Sequence, residues 1–230
     1  MAVKFSNTNN VHLNGVKMLV YGIAGAGKTR LALTAPRPII LSAEKGLLSI
    51  AGSNIGVLEI ESFEDLREAY QWCINPANSQ YFDTIFIDSI SEIAEQVLLY
   101  AKAKVKDARL AYTELSDKLV DIIKDFRDIT GKHVIMIAKI GDAKEEITGV
   151  TKYFPAVPGN KLTQRLPYLF DEVMYLGVKT DLSTNQSWSF IQTAPDFQVS
   201  AKDRSGRLNA IEPPDVGLLI TKITGVVNNG

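Results

Sequence analysis

Residues 22–29 read Gly22-Ile23-Ala24-Gly25-Ala26-Gly27-Lys28-Thr29, which satisfies the pattern G-x-x-x-x-G-K-[ST]. The small residues let the chain curl so that successive backbone N–H groups point inward, the arrangement that receives a polyphosphate. The apolar run Val16–Tyr21 before it reads as a strand. A helix is expected from Lys28 until just before Pro36, adding unsatisfied amides and a positive dipole end. Lys28 supplies charge for the outer phosphates, and the Thr29 hydroxyl suits a magnesium ion. Gly22 through Thr29, with Arg30 next, are therefore the candidate nucleotide contacts. A glycine-rich turn that merely joins a strand to a helix is the plain alternative; the strand–loop–helix context favours the phosphate reading.

Such a loop needs an acid on the metal side, at the end of another buried strand. Thr84–Ile87 is a short apolar run ending in Asp88, where ligands of open α/β sheets sit. An N-cap for the following helix is the competing role of Asp88, and Ser89 can also fill it. Asp83 begins the same run and belongs at the far end. Glu44 follows the apolar run Pro38–Leu41 in Ser42-Ala43-Glu44-Lys45-Gly46, so it too falls on the C-terminal edge. A carboxylate there can orient and deprotonate a water that attacks a γ-phosphate. A solvated loop acid paired with Lys45 is the alternative.

The rest of the chain fits this frame. Its 230 residues are 46% hydrophobic and 22% charged, enough for a sizeable core and against a mainly disordered chain. Twenty-five basic and 26 acidic side chains leave a net charge of −1, which excludes indiscriminate coating of nucleic acid but not a local basic groove. One cysteine, Cys73, permits no internal disulfide and suits a reducing compartment. No apolar run approaches the roughly 20 residues of a membrane span, and the polar start lacks the apolar core of a signal peptide. The expectation is a soluble, cytoplasmic, globular protein: an arm over 1–15 and one α/β domain over 16–230.

Further strands are expected at Val57–Ile60, His133–Ala138, Glu172–Val178, Ser187–Gln192 and Phe197–Ser200. Ser62 and Asp65 form a capping-box start for a helix, and helical spacing returns at Ile90–Ala101 and at about Tyr112–Ile129. Gly217–Ile223 reads as a closing helix or strand. Residues 139–159, with glycines, prolines and mixed charge, show no regular element, and loops of this length are usually functional or mobile. His12 and His133 lack cysteine partners, and Cys73 falls on a helical face, so all three read as structural.

The succession of the phosphate loop, Ile-Ile-Leu-Ser-Ala-Glu, Phe-Ile-Asp-Ser and Val-Ile-Met-Ile-Ala-Lys resembles the core of RecA-type recombinase ATPases. It looks closer still to minimal phage-encoded RecA-like proteins, the phage nucleotide-binding proteins whose Sak-four branch anneals single strands. The resemblance covers roughly residues 16–223. It implies a RecA-like P-loop core with a mostly parallel sheet flanked by helices, binding ATP with Mg²⁺ and hydrolysing it. Glu44 becomes the catalytic base and Asp88, with Thr29, the metal side. If phage-encoded, the protein would work in the bacterial host cytoplasm.

The resemblance also implies single-stranded DNA as partner, annealing or strand exchange as outcome, and self-assembly into a filament or ring with ATP at the subunit interface. A single-strand DNA-binding protein is a further implied partner. Residues 139–159 occupy the place of the family's mobile DNA-contacting loop. Lys144, Lys152, Tyr153 and Phe154 offer cations for phosphates and faces for bases, although Glu145 and Glu146 dilute that charge. Residues 100–170 carry thirteen basic and nine acidic side chains, including Lys102, Lys104 and Lys106. Lys139 stands where the family usually has a polar amide that senses the γ-phosphate, and it joins the candidate DNA contacts. Arg204, then Lys202, match the basic stretch that reaches a neighbour's nucleotide, the arginine-finger role. Phe5 is a candidate anchor for a neighbouring subunit. A small-molecule kinase would share the loop but would need an arginine-bearing lid, and 139–159 has no arginine. A nucleotide-binding switch or accessory ATPase without recombination activity is the remaining alternative.

Overall fold

The computed structural model describes residues 14–105 and 107–225. Most of the expected arm, with Phe5 and His12, and Lys106 lie outside the described residues. Along the chain come β1 (Lys17–Gly22), β2 (Pro38–Ser42), β3 (Gly56–Glu59), α1 (Phe63–Ile74), α2 (Pro76–Ser79), β4 (Thr84–Asp88), α3 (Ile90–Lys104) and α4 (Ala108–Arg127). They are followed by β5 (His133–Lys144), β6 (Thr151–Ala156), α5 (Asn160–Arg165), β7 (Glu172–Asp181), β8 (Gln186–Gln192), β9 (Lys202–Asp203), β10 (Ile211–Glu212) and α6 (Val216–Thr224).

The sheet runs β10-β8-β7-β1-β5-β4-β2-β3, with β6 added to β5 and β9 to β7. From β7 to β3 every pairing is parallel. The additions β6, β8, β9 and β10 are antiparallel. The parallel core is covered on both faces, which is why β1 is buried along its whole length. Its side chains alternate between layers: Leu19 and Tyr21 join the apolar layer under α1, α3 and α4, while Met18 and Val20 join the one beneath α6.

Local chemistry sets several elements as the sequence predicts. The α1 capping box forms, with Ser62 Oγ accepting from Asp65 N at 3.1 Å and Asp65 Oδ2 accepting from Ser62 N at 2.8 Å. Leu115, Leu119, Ile122, Ile123 and Phe126 make the buried stripe of α4. Gly217–Ile223 resolves to a helix, α6.

Three expectations are corrected. The segment after Lys28 is a 3₁₀ helix, Thr29–Thr34, and it stops where Ala35 must be extended before Pro36. Residues 139–159 contain a β-hairpin: β5 continues past the sheet edge and β6 returns along it, Lys139 opposite Ala156 and Lys144 opposite Thr151. Backbone pairing and a turn tied by Glu145 make it, and the pattern of side chains hides it. Pro155 is tolerated because its nitrogen, like that of Tyr153 two residues earlier, which donates to the Gln198 carbonyl, faces away from β5 and costs the hairpin no bond. Phe197–Ser200 is no strand but a turn held by Asp196, which accepts from Gln198 N and Val199 N at 2.7 Å.

One buried acid gives the fold a pH dependence. Glu172, 1% exposed, lies opposite Asp203 across β7 and β9. Burial first, then the Asp203 charge, pushes its carboxyl from the ordinary 4.5 up to about 8. Against the upward push of burial, donors from Ser205, Leu208 and Gly206 hold Asp203 below the usual range, so the proton sits on Glu172. A raised folded value means that this stabilisation is complete below about pH 4.5 and is lost as pH rises toward 8. Glu172→Gln keeps the neutral form at every pH. The melting temperature of the wild type is expected to fall, relative to this variant, by on the order of 5 °C between pH 5 and 8. Parallel melting curves across that range would refute it.

Candidate functional site

The site is built at the C-terminal edge of the parallel sheet. Gly22 ends β1 against β7: a Cβ there would stand 2.3 Å from the Leu176 carbonyl oxygen, so only glycine fits. Beyond it, Gly25 and Gly27 take φ of 79° and 98°, and open space lies where their side chains would be. Lys28 curls back over the loop, its Nζ donating to the carbonyls of Gly22 and Ile23 at 2.9 Å each. Burial lowers its pKa, while Glu44 and Asp88 pull it up.

The register of β2 on β4, Ser42 opposite Asp88, carries both expected acids to one place. Asp88 is buried, and its Oδ2 accepts from Thr29 Oγ1 at 2.6 Å. Burial pushes the carboxyl up against the Thr29 hydrogen bond. Glu44 is exposed, and its Oε1 accepts a short hydrogen bond from Ser89 Oγ. That hydroxyl also accepts from Glu92 N at 3.2 Å, so Ser89 caps α3 and orients Glu44 together. The sequence suggested the cap alone. An open cleft of about 530 Å³ is bounded by Gly27, Lys28, Thr29, Glu44, Asp88 and Lys139. Gly25 and Arg30, both candidate nucleotide contacts, also line it, as do Gly46 and Ser49, which sequence reasoning did not single out.

These groups suit a nucleotide and a hard cation. The empty positions at Gly25 and Gly27 leave backbone N–H groups room to meet phosphate oxygens. Thr29 and Asp88 are already in contact, the pair that would hold Mg²⁺. Among the described residues no group of three or more His, Cys, Asp or Glu forms a closed metal cage. Magnesium sites seldom have one, since substrate phosphates and water complete the shell.

The other candidates are dispersed. Lys139 stands at the root of the hairpin and donates to Glu92 and Glu95 of α3 at 3.0 and 2.9 Å, so its charge is met within the chain. Ser91 ties the same root to α3, donating to the Ala156 carbonyl at 2.6 Å and accepting from Lys139 N at 2.8 Å. On the hairpin, Lys144 is exposed and Lys152 binds Glu145 at 3.1 Å. Tyr153 and Phe154 are half-buried; Tyr153 packs on the core and Phe154 lies across Gly141. Lys102 sits 5.5 Å over the Tyr112 ring, and Lys104 sits 4.0 Å over Tyr100.

Arg204 meets Asp171 at 3.1 Å, and Lys202 donates to the carbonyls of Pro167 and Phe170 at 2.6 and 2.5 Å. Both stand where β9 joins the start of β7, at the sheet edge opposite their own phosphate loop. His133 Nδ1 accepts from Val16 N at 3.1 Å, and burial lowers its pKa to about 4. Burial pushes the Cys73 thiol up to about 12. Among the described residues no helix is long and apolar enough to cross a membrane.

Compared with known proteins, residues 14–205 match the family model described as an AAA domain. Among solved structures the chain is similar to a KaiC-like protein of the hyperthermophilic archaeon Pyrococcus horikoshii, at 14% identity and a TM-score of 0.48 over 78% of each chain. No curated protein sequence matches it significantly. The architecture is of the expected α/β class, a phosphate-loop domain with a mostly parallel sheet flanked by helices.

Proposed function

The chain belongs to the AAA-domain family over residues 14–205, and from that premise we propose that it is a Mg²⁺-dependent ATPase that couples nucleotide turnover to single-stranded DNA. The observation that carries the ATPase half is the convergence of Lys28, Thr29, Asp88 and Glu44 on one cleft from three separate strands. Lys28 exchanges the Gly22 and Ile23 carbonyls for β- and γ-phosphate oxygens, and the loop amides hold the rest of the polyphosphate. Bound between Thr29 and Asp88, magnesium would neutralise charge on the β- and γ-phosphates. Glu44, steadied by Ser89, takes a proton from the attacking water. The water oxygen bonds to the γ-phosphorus, the bond to the β–γ bridging oxygen breaks, and ADP and phosphate leave.

The DNA half rests on the hairpin. It rises from the same sheet edge as the cleft, continues the strand that lines it, and is clamped at its root to α3 through Lys139 and Ser91. A change in the cleft is thus transmissible to the exposed Lys144 and the hairpin tip. Lys152, Tyr153 and Phe154, with Lys102 and Lys104 of α3, extend the surface offered to a strand, and Lys106, outside the described residues, is a further candidate by sequence. Annealing or strand exchange would follow from binding on a homo-oligomeric filament or ring, alone or alongside a single-strand DNA-binding protein. In it Arg204, with Lys202, would face a neighbour's nucleotide, since both lie far from their own.

ATP hydrolysis measured with and without single-stranded DNA at moderate salt tests this. Severalfold stimulation is expected, with ATP-dependent DNA binding. Neither effect would remove the DNA half and leave a nucleotide switch or accessory ATPase. In mixtures with wild type, Arg204→Ala is expected to depress turnover out of proportion to its share; a strictly proportional loss would exclude its action in trans.

A further inference from the structure

We propose that Ser189 of β8, 163 residues from the phosphate loop in sequence, is a positioning residue that sets the loop for phosphate. Its Oγ donates to the Ala26 carbonyl at 3.0 Å. The inference rests on the nucleotide-binding reading of the cleft and adds to it a residue on a strand outside the parallel core.

A trans peptide is planar, and its C=O and N–H point to opposite sides. The carbonyl of Ala26 and the N–H of Gly27 belong to one such unit. With the carbonyl drawn toward β8, the Gly27 N–H is turned away from β8. Burial agrees with that sense: Ala26 is 1% exposed, whereas Gly27 lines the cleft. At Gly27, with φ of 98° and nothing within 4 Å of a virtual Cβ, little else opposes rotation of this unit. One hydroxyl therefore holds a donor that the unliganded loop would otherwise let swing. Such preorganisation lowers the cost of binding without adding a contact to the ligand.

The β7–β8 hairpin supports the loop at its other end as well, through the close approach of Leu176 to Gly22. Strand alternation places Ser189 on the face opposite Trp188 and Phe190, so the serine looks at the loop while its aromatic neighbours look away. Ser189 is half-buried, which strengthens its hydrogen bond relative to one in open water.

The test uses the full chain with MgATP and MgADP. Loss of one neutral hydrogen bond is expected to weaken both by about three- to tenfold in Ser189→Ala. The loss appears in KM, with kcat within about twofold. Ser189→Thr restores the hydroxyl and wild-type affinity. Ser189→Cys, near-isosteric and a poor donor, should behave as the alanine variant while preserving packing, which keeps the test decisive if Ser189→Ala folds poorly. A wild-type chain that binds no nucleotide would overturn the reading of the cleft itself. A wild type that binds, with Ala and Cys variants of unchanged KM, would overturn the role of Ser189 alone.

Discussion

Lys28→Ala is expected to lower ATP affinity at least about a hundredfold, because the ammonium would make charge-assisted hydrogen bonds to phosphate oxygens worth about 1.5–3 kcal/mol each. The fold should survive the change. Without ligand, Lys28 satisfies the carbonyls of Gly22 and Ile23 and faces the charges of Glu44 and Asp88, and Ile23 lies exposed to water that can replace it. Calorimetric titration with MgATP beside a melting curve separates the two effects. Affinity within about threefold of wild type would mean that the cleft is not a phosphate site. Loss of affinity accompanied by loss of the cooperative melting transition would leave mis-folding as the reason.

Glu44→Gln is expected to cut kcat by about 10²- to 10⁴-fold while leaving nucleotide affinity nearly unchanged, the signature of a lost general base. The amide keeps the shape and can still accept from Ser89, so orientation is preserved and only proton acceptance is removed. Single-turnover hydrolysis and ADP titration read these two quantities separately. Normal hydrolysis by Glu44→Gln would remove Glu44 from the mechanism. Ser89→Ala should give a smaller loss, since the carboxylate stays basic but loses its orienting donor. Asp88, buried and engaged by Thr29, belongs to the metal side of this proposal and leaves the base role to Glu44.

The readable parts of this protein are those set by near neighbours. The phosphate loop, the acids that end apolar runs, the capping box of α1 and the stripe of α4 each depend on residues a few positions apart. The mostly apolar runs Val16–Tyr21 and Thr84–Ile87 likewise announce strands covered on both faces. By itself the sequence thus determined an α/β phosphate-loop domain and the principal residues of its cleft. Tertiary structure alone decided what the pairing of distant strands controls. It turned residues 139–159 into a hairpin, since backbone hydrogen bonds across β5 and β6 do not require an apolar alternation. It gave Lys139 to Glu92 and Glu95, put Arg204 at the far edge, and brought Ser189 to Ala26. These contacts join positions 33 to 163 residues apart, and no local periodicity encodes them. They exist because the order and register of the sheet place particular atoms within hydrogen-bond reach.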